Sequence, residues 1–215
     1  MELIASFFSV LLHLDQHLQT LAAHYGGWIY AILFLIIFCE TGLVVTPFLP
    51  GDSLLFVSGT VAAAGVLDVH MLAILLLLAA VLGDSLNYAI GRYLGPKVFH
   101  FEGSRFFNPE HLRHAHAFYE RHGGKTIVLA RFIPIIRTYA PFVAGIGAMK
   151  YGRFIAWNVG GAVLWVGLVL YAGYFFGNIP LVRQNLSWVI IGIIIVSIMP
   201  GVFAYLRERA RTSRG

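Results

Sequence analysis

Residues 130–145 read ARFIPIIRTYAPFVAG, an apolar stretch interrupted by two arginines and two prolines. Residues 38–56, FCETGLVVTPFLPGDSLLF, have the same character, with two acids and two prolines among apolar side chains. Proline removes a backbone hydrogen-bond donor and clashes with the preceding helical turn, so neither stretch can continue as one unbroken helix. We therefore predict two helical hairpins, one over residues 28–65 and one over residues 126–149.

The composition of the chain places these hairpins in a membrane. Hydrophobic residues make up 59% of the 215 residues and charged residues 12%, whereas a soluble globular protein carries about 25% charged residues. This excludes a soluble globular domain and a disordered chain, and the single cysteine, Cys39, cannot form an intrachain disulfide. Broken backbone inside a bilayer is tolerated only where it is buried in protein or lines a wet cavity. Both hairpins are therefore predicted to be re-entrant.

The other apolar segments predict membrane-spanning helices at about 68–92, 154–177 and 186–206, since roughly 20 apolar residues cross the hydrocarbon. The fold class is an all-α integral membrane protein with a single domain. Its predicted parts are an amphipathic interfacial helix (1–26), repeat 1 (27–95), a cytoplasmic polar loop with a short helix starting at Asn108 (96–124), repeat 2 (125–178), a C-terminal transmembrane helix (179–206) and a basic tail (207–215).

Basic residues near the ends of the spans set the predicted orientation, because such residues collect on the cytoplasmic side. The tail 207–215 holds four arginines and is predicted to be cytoplasmic. Lys150 and Arg153, two crossings earlier, and the basic loop at 96–124 then lie on the same side. The second hairpin would open from the cytoplasm and the first from the opposite face. This reasoning leaves open the side of the amino terminus.

Three sequence landmarks recur in order in the two halves of the chain, at offsets of 84, 86 and 82 residues. They are FLP at 48–50 with FIP at 132–134, FVSG at 56–59 with FVAG at 142–145, and a small-xxx-small pair at 91 and 95 with another at 173 and 177. Together with the opposite orientations, this predicts the inverted-repeat architecture of secondary transporters, with a site near the midplane where the repeats meet.

Four charges lie within the two broken stretches: Glu40 and Asp52 in the first, Arg131 and Arg137 in the second. A charge at the bilayer centre costs about 2.5–3.5 kcal/mol, so we expect the acids to face the bases in a polar cavity between the hairpin tips. Guanidinium groups bind phosphate and carboxylate oxygens bidentately, and helix amino termini at the breaks favour an anion. The alternative is that these charges form purely structural ion pairs.

The same four residues suggest how anion and proton binding are coupled. If a phosphate captured the two arginines, Glu40 and Asp52 would lose their partners and take up protons, which they would release when the phosphate left. The residues predicted to shape the hairpin breaks are Pro47, Pro50, Gly51, Pro134 and Pro141.

The chain resembles the DedA family of bacterial inner-membrane proteins, which carry the VTT (SNARE-associated) domain, over essentially its whole length. The resemblance rests on the stretches 38–56 and 130–145 quoted above, on GDSLNYAIGR at 83–92 and on HGGKT at 122–126. It implies a polyprenyl-phosphate or phospholipid translocase, linked to recycling of undecaprenyl phosphate and to the proton-motive force. The family's essential acidic pair falls on Glu40 and Asp52, and its essential arginine pair on Arg131 and Arg137.

Further polar residues allow weaker hypotheses. Asp84 and Asn87 lie one turn apart in a predicted span and could either pack helices by hydrogen bonding to Asn158 or Tyr88 or contact substrate. A metal is not expected, because no carboxylate or cysteine completes a set with the histidines of the polar loop. These histidines are His111, His114, His116 and His122. No nucleophile motif accompanies the buried acids, so we expect neither an enzyme nor a cofactor.

The leading hypothesis is a flippase for undecaprenyl phosphate or a related anionic lipid, coupled to the proton-motive force. Its partners would be the membrane lipid and protons, not nucleic acid, and small-residue faces leave a homodimer open. The location would be the bacterial inner membrane, with several crossings and a cytoplasmic carboxyl terminus. The alternatives are a proton-coupled transporter of small ions or cations, a phospholipid scramblase, and a protein that maintains membrane organisation without transport.

Overall fold

A computed structural model describes residues 26–43, 51–98, 123–177, 179–180, 182, 185, 188–189 and 191–193. These residues form helices and turns and contain no strand, which confirms the predicted all-α class. Several predicted features lie outside the described residues. They are the amphipathic helix up to residue 25, the first proline break at Pro47 and Pro50, the polar loop from residue 99 to 122, the basic tail, and most of the span at 186–206.

Six helices make up most of the described chain. They are α1 (Trp28–Gly42), α2 (Gly51–Ala63), α3 (Val69–Val98), α4 (Lys125–Ala130), α5 (Pro134–Ile146) and α6 (Tyr151–Phe176).

Two of these helices contain segments long and apolar enough to cross a membrane, Val69–Leu94 in α3 and Tyr151–Phe176 in α6. A segment of 26 residues extends about 39 Å, more than the roughly 30 Å of bilayer hydrocarbon. These segments coincide with the spans predicted at 68–92 and 154–177. Along α3, exposed apolar side chains recur every three or four residues, as on a helix that faces lipid. They are Met71, Ile74, Leu78, Leu82 and Leu86.

The helices of the two broken stretches are shorter. Helix α1 has 15 residues, and α2 and α5 have 13 each, so each extends only about 20–23 Å. Helix α4 ends at Ala130 and α5 begins at Pro134, where a proline fits because the first turn of a helix does not use its N–H groups. The re-entrant path of both hairpins remains a prediction.

The break in the second stretch therefore lies at residues 131–133, immediately before Pro134. Pro141, which we expected to shape this break, lies inside α5 instead. There it cannot donate the hydrogen bond that an α-helix would direct to the carbonyl of Arg137. Gly51, by contrast, is the first residue of α2 and is buried.

The chain divides into two compact units. The first comprises residues 1–34, 48–76 and 166–215, and the second residues 35–47 and 77–165. Helix α2 belongs to the first unit, α4 and α5 belong to the second, and the other three helices contribute residues to both. The units do not follow the predicted repeats, because each takes helices from both halves of the chain.

In the first unit, α2 packs closely on α6 through two glycines. A Cβ atom at Gly59 would overlap the carbonyl oxygen of Leu170, and one at Gly173 would overlap the carbonyl oxygen of Phe56. Small residues allow this approach of two backbones, which a side chain at either position would prevent.

In the second unit, α5 packs on α3 in the same way. A Cβ atom at Gly145 would overlap the carbonyl oxygen of Tyr88, and one at Gly91 would overlap that of Phe142. The Tyr88 ring stacks on Phe154 with 4.4 Å between centroids, and its hydroxyl donates to the carbonyl of Met149. The FVSG and FVAG landmarks thus make matching contacts with the glycines at 173 and 91. The FLP landmark at 48–50 lies outside the described residues, and the inverted repeat with its opposite membrane orientation remains a prediction.

A third close approach joins α1 to α3 within the second unit. A Cβ atom at Gly83 would overlap Oγ1 of Thr41, and one at Gly42 would lie 3.3 Å from Cα of Gly83. Because these backbones nearly touch, the carboxyl-terminal end of α1, which carries Glu40, is held against the part of α3 that carries Asp84.

Replacing the contact glycines Gly59 or Gly145 with alanine should destabilise the protein by about 1–3 kcal/mol, because the added methyl group overpacks a backbone contact. Gly160→Ala is the matched control, since a Cβ atom there meets nothing within 4 Å and alanine favours a helix. The measurement is the apparent Tm of the purified protein in detergent. A Tm of Gly145→Ala equal to that of Gly160→Ala would contradict the described packing.

Candidate functional site

A small cavity with charged, polar and apolar lining residues lies within the second unit. It brings together three of the four predicted charges, adds a second acid, and places an aromatic ring beside them. Its lining residues are Glu40, Thr41, Asp84, Ile127, Arg131, Arg137, Thr138, Pro141 and Trp165.

Glu40 and Arg137 form one of the two buried ion pairs in this cavity. Glu40 lies in the last turn of α1, and its Oε1 accepts a hydrogen bond from a terminal guanidinium nitrogen of Arg137 on α5. Both side chains are largely withdrawn from solvent, with exposed fractions of 3% and 10%. The pair joins an acid of the first broken stretch to a base of the second.

Arg131 forms the second buried ion pair. It lies at the break between α4 and α5, and its side chain is only 4% exposed. Its Nη2 donates to Asp84 on α3 and also to Oδ1 of Asn158 on α6, at 2.6 Å for the latter. The amide nitrogen of Asn158 donates in turn to the carbonyl of Val81, at 3.1 Å, which fixes the orientation of that amide.

The other terminal nitrogen of Arg131, Nη1, is buried and has no hydrogen-bond partner among the described residues. Leaving a buried donor of a charged group unsatisfied is unfavourable by about 1–3 kcal/mol or more. Buried donors without a protein partner are uncommon and call for an explanation such as a bound water, an ion or another ligand. A ligand that accepts hydrogen bonds and carries negative charge would satisfy this nitrogen.

Asn87 holds the helices around the cavity. Its side-chain nitrogen donates to the carbonyl of Thr41, at 3.2 Å, and to that of Thr138, at 2.8 Å. It therefore links the end of α1 to α5. This is a packing role, as one of the sequence hypotheses held, but the partners are neither Asn158 nor Tyr88. Asp84, considered only as a secondary residue from the sequence, is a direct ion-pair partner.

Asp52, the remaining predicted charge, lies in the first turn of α2 and is half-buried. It belongs to the first unit and is not among the residues that line the cavity. Its role with protons stays a prediction.

Trp165 is not among the site residues predicted from the sequence. The centroid of its ring lies 5.0 Å from Cζ of Arg137 and 5.8 Å from Cζ of Arg131. A tryptophan within an apolar helix gives no local sign of a contact with cations. In the sequence, the only indication of such a contact is the presence of buried charges that require partners.

Metal binding receives no support from the described part of the chain, which contains no group of three histidines, cysteines or acids placed to hold an ion. The four histidines of the polar loop lie outside it. Two guanidinium groups, each paired with a carboxylate, are suited to bind an anion that competes with those carboxylates.

Comparison with known proteins identifies the family. The family model described as the VTT domain matches residues 49–175. The chain is 57% identical to Protein DedA of Escherichia coli strain K12, over 100% of this chain and 99% of that protein. It is 46% identical to a membrane protein of Mycobacterium leprae, over 83% of this chain and 82% of that protein.

It is also 34% identical to the inner membrane protein YqjA of Escherichia coli strain K12, over 84% of this chain and 81% of that protein. No solved structure matches the chain. The VTT match covers more than half of the sequence and the similarity to DedA covers all of it, so the chain belongs to the DedA family of membrane proteins.

Proposed function

We propose that this protein carries a phosphate-bearing lipid, undecaprenyl phosphate or a related anionic lipid, across the bacterial inner membrane. The observation that supports this most directly is Arg131, which is buried in the cavity beside a second arginine, Arg137, and whose Nη1 has no hydrogen-bond partner in the part of the chain that the structure describes. The phosphate would bind there while the apolar tail of the lipid remained in the bilayer. Membership of the DedA family fits a transporter.

The charge balance of the cavity favours exchange of partners. Each arginine has a carboxylate partner, Glu40 for Arg137 and Asp84 for Arg131, so the site is close to neutral when it holds no ligand. A phosphate offers several oxygens to the planar guanidinium fork. It can therefore replace both carboxylates at once, and it adds an acceptor for the Nη1 of Arg131.

This exchange would couple lipid binding to protons. A carboxylate displaced from its arginine in a poorly solvated cavity favours its protonated form. Glu40 and Asp52 are the proton acceptors proposed from the sequence, and the ion pair with Arg131 adds Asp84 as a third candidate. Release of the phosphate would restore the ion pairs and return the protons, so a proton gradient would drive net movement.

The proposed setting is the inner membrane, with several crossings and a cytoplasmic carboxyl terminus. YqjA is named an inner membrane protein, and the four arginines of the tail favour the cytoplasmic side.

A proton-coupled cation transporter is the second candidate, because Glu40 and Asp84 are both buried acids lining the cavity. The two arginines weigh against it, since a cation would have to displace them from the acids and then remain beside them. A scramblase would use the same anion site without any effect of a proton gradient.

Replacing each cavity arginine with lysine gives the first test of the proposed function. Arg137→Lys and Arg131→Lys keep the positive charge but lose bidentate binding, so each should slow translocation of undecaprenyl phosphate about tenfold or more. The measurement is lipid accessibility at the outer surface of vesicles containing the full chain. Arg153→Lys, at an exposed position near the start of α6, is the control. Unchanged rates in both cavity variants would rule out phosphate binding at this site.

The acids give a second test. An imposed proton gradient should accelerate translocation by the wild type, and Glu40→Gln should lose this acceleration because an amide cannot take up the proton. Asp68→Asn, which changes an exposed acid at the start of α3, should behave as the wild type. If translocation by the wild type ignores the gradient, the scramblase alternative is favoured. If the proton gradient still accelerates translocation by Glu40→Gln, a group other than Glu40 carries the proton.

A further inference from the structure

Trp165 contacts the binding machinery without being part of either ion pair. Its side chain is 1% exposed and lines the cavity. Both cavity arginines have their guanidinium carbon within 6 Å of its ring centroid, the range in which the electron-rich face of an indole attracts a cation. One neutral residue on α6 is therefore shared by two cations that come from different positions of the second hairpin.

A neutral partner shared by both arginines would offset the repulsion between their two positive charges. Two guanidinium groups repel each other, and the repulsion is strong where water is excluded. Glu40 and Asp84 neutralise them through the two ion pairs. When an anion displaces these carboxylates, the arginines must remain close enough to each other to bind it together.

Trp165 is suited to this because a phosphate does not compete with it. The carboxylates and an incoming phosphate are both acceptors for the same N–H groups, so one replaces the other. The indole ring instead attracts the arginines through its face, which leaves the edges of each guanidinium for hydrogen bonds. Asn158, which is also neutral, accepts a hydrogen bond from Arg131. This contact would likewise remain when a phosphate displaces the carboxylates, but it holds Arg131 alone.

We propose that Trp165 is a positioning residue of the anion site, and that its ring keeps Arg131 and Arg137 together when a phosphate headgroup displaces their carboxylates. This inference rests on the proposed function, because it concerns the same site. It adds Trp165 to the residues that would determine the affinity of the site for the headgroup.

The test uses the full chain in detergent with farnesyl phosphate, a soluble short prenyl phosphate, as the probe and uncharged farnesol as its control. Calorimetric titration should show about tenfold weaker binding of farnesyl phosphate to Trp165→Leu, which loses both cation contacts. Trp165→Phe, which keeps a weaker aromatic face, should lose less. Farnesol binding should be the same in all three proteins.

Phe154→Leu provides the matched control for packing. Phe154 is a fully buried aromatic residue on the same helix, within the core of the second unit and stacked on Tyr88. Its replacement should lower the Tm, as Trp165→Leu does, but leave the affinity for farnesyl phosphate unchanged. If both variants lose affinity in proportion to their loss of Tm, Trp165 acts only through packing and the inference is wrong.

A fluorescence measurement covers the case in which Trp165→Leu does not fold. A protein with Trp28, Trp157 and Trp188 all changed to Phe retains Trp165 as its single tryptophan. Its emission should change on titration with farnesyl phosphate, as the arginines exchange carboxylates for phosphate beside the ring, and should not change with farnesol. An unchanged emission at saturating farnesyl phosphate would overturn the inference.

The outcomes separate the two proposals. If the wild type and Trp165→Leu bind farnesyl phosphate equally while Arg137→Lys does not, the inference fails and the proposed anion site stands. If the wild type binds farnesyl phosphate no better than farnesol, the proposed function fails and the inference with it.

Discussion

Two guanidinium groups held among apolar helices require negative partners, and the second unit is organised around this requirement. Each arginine finds its acid far away in the chain: Glu40 is 97 residues from Arg137, and Asp84 is 47 residues from Arg131. The two pairs tie α1 and α3 to the second broken stretch. Removing one partner of a buried pair is destabilising by about 3–5 kcal/mol, so the pairs persist until another anion competes for the arginines.

Close backbone contacts support these pairs, because they hold the helices that carry the acids and the bases against one another. The approach of α1 to α3 depends on Gly83, and that of α5 to α3 depends on Gly91 and Gly145. Asn87 of α3 then links the end of α1 to α5 by donating to the carbonyls of Thr41 and Thr138. The site is thus built on close helix contacts, while Arg131 lies at the break between α4 and α5.

The two units share a packing motif but not its chemistry. In both, a Phe-x-x-Gly segment of a short helix meets a glycine of a long one. In the second unit, the cavity pairs the bases Arg131 and Arg137 with the acids Asp84 and Glu40. A site in which each buried base is paired with an acid can bind an anion by releasing a carboxylate, which is the basis of the proposed coupling.

The amino-acid sequence by itself determined the helical class, the two apolar spans, the break before Pro134 and the need for buried charges to be paired. These follow from composition, from the chemistry of proline and from the energy of a charge in hydrocarbon, which are local properties. Only the tertiary structure decided that Arg131 pairs with Asp84, that Pro141 lies within a helix and that Trp165 contacts both arginines. The pairing and the ring contacts depend on the rotation and register of helices that are distant in sequence. Close contacts at glycines set this rotation and register, and no local sequence pattern indicates them.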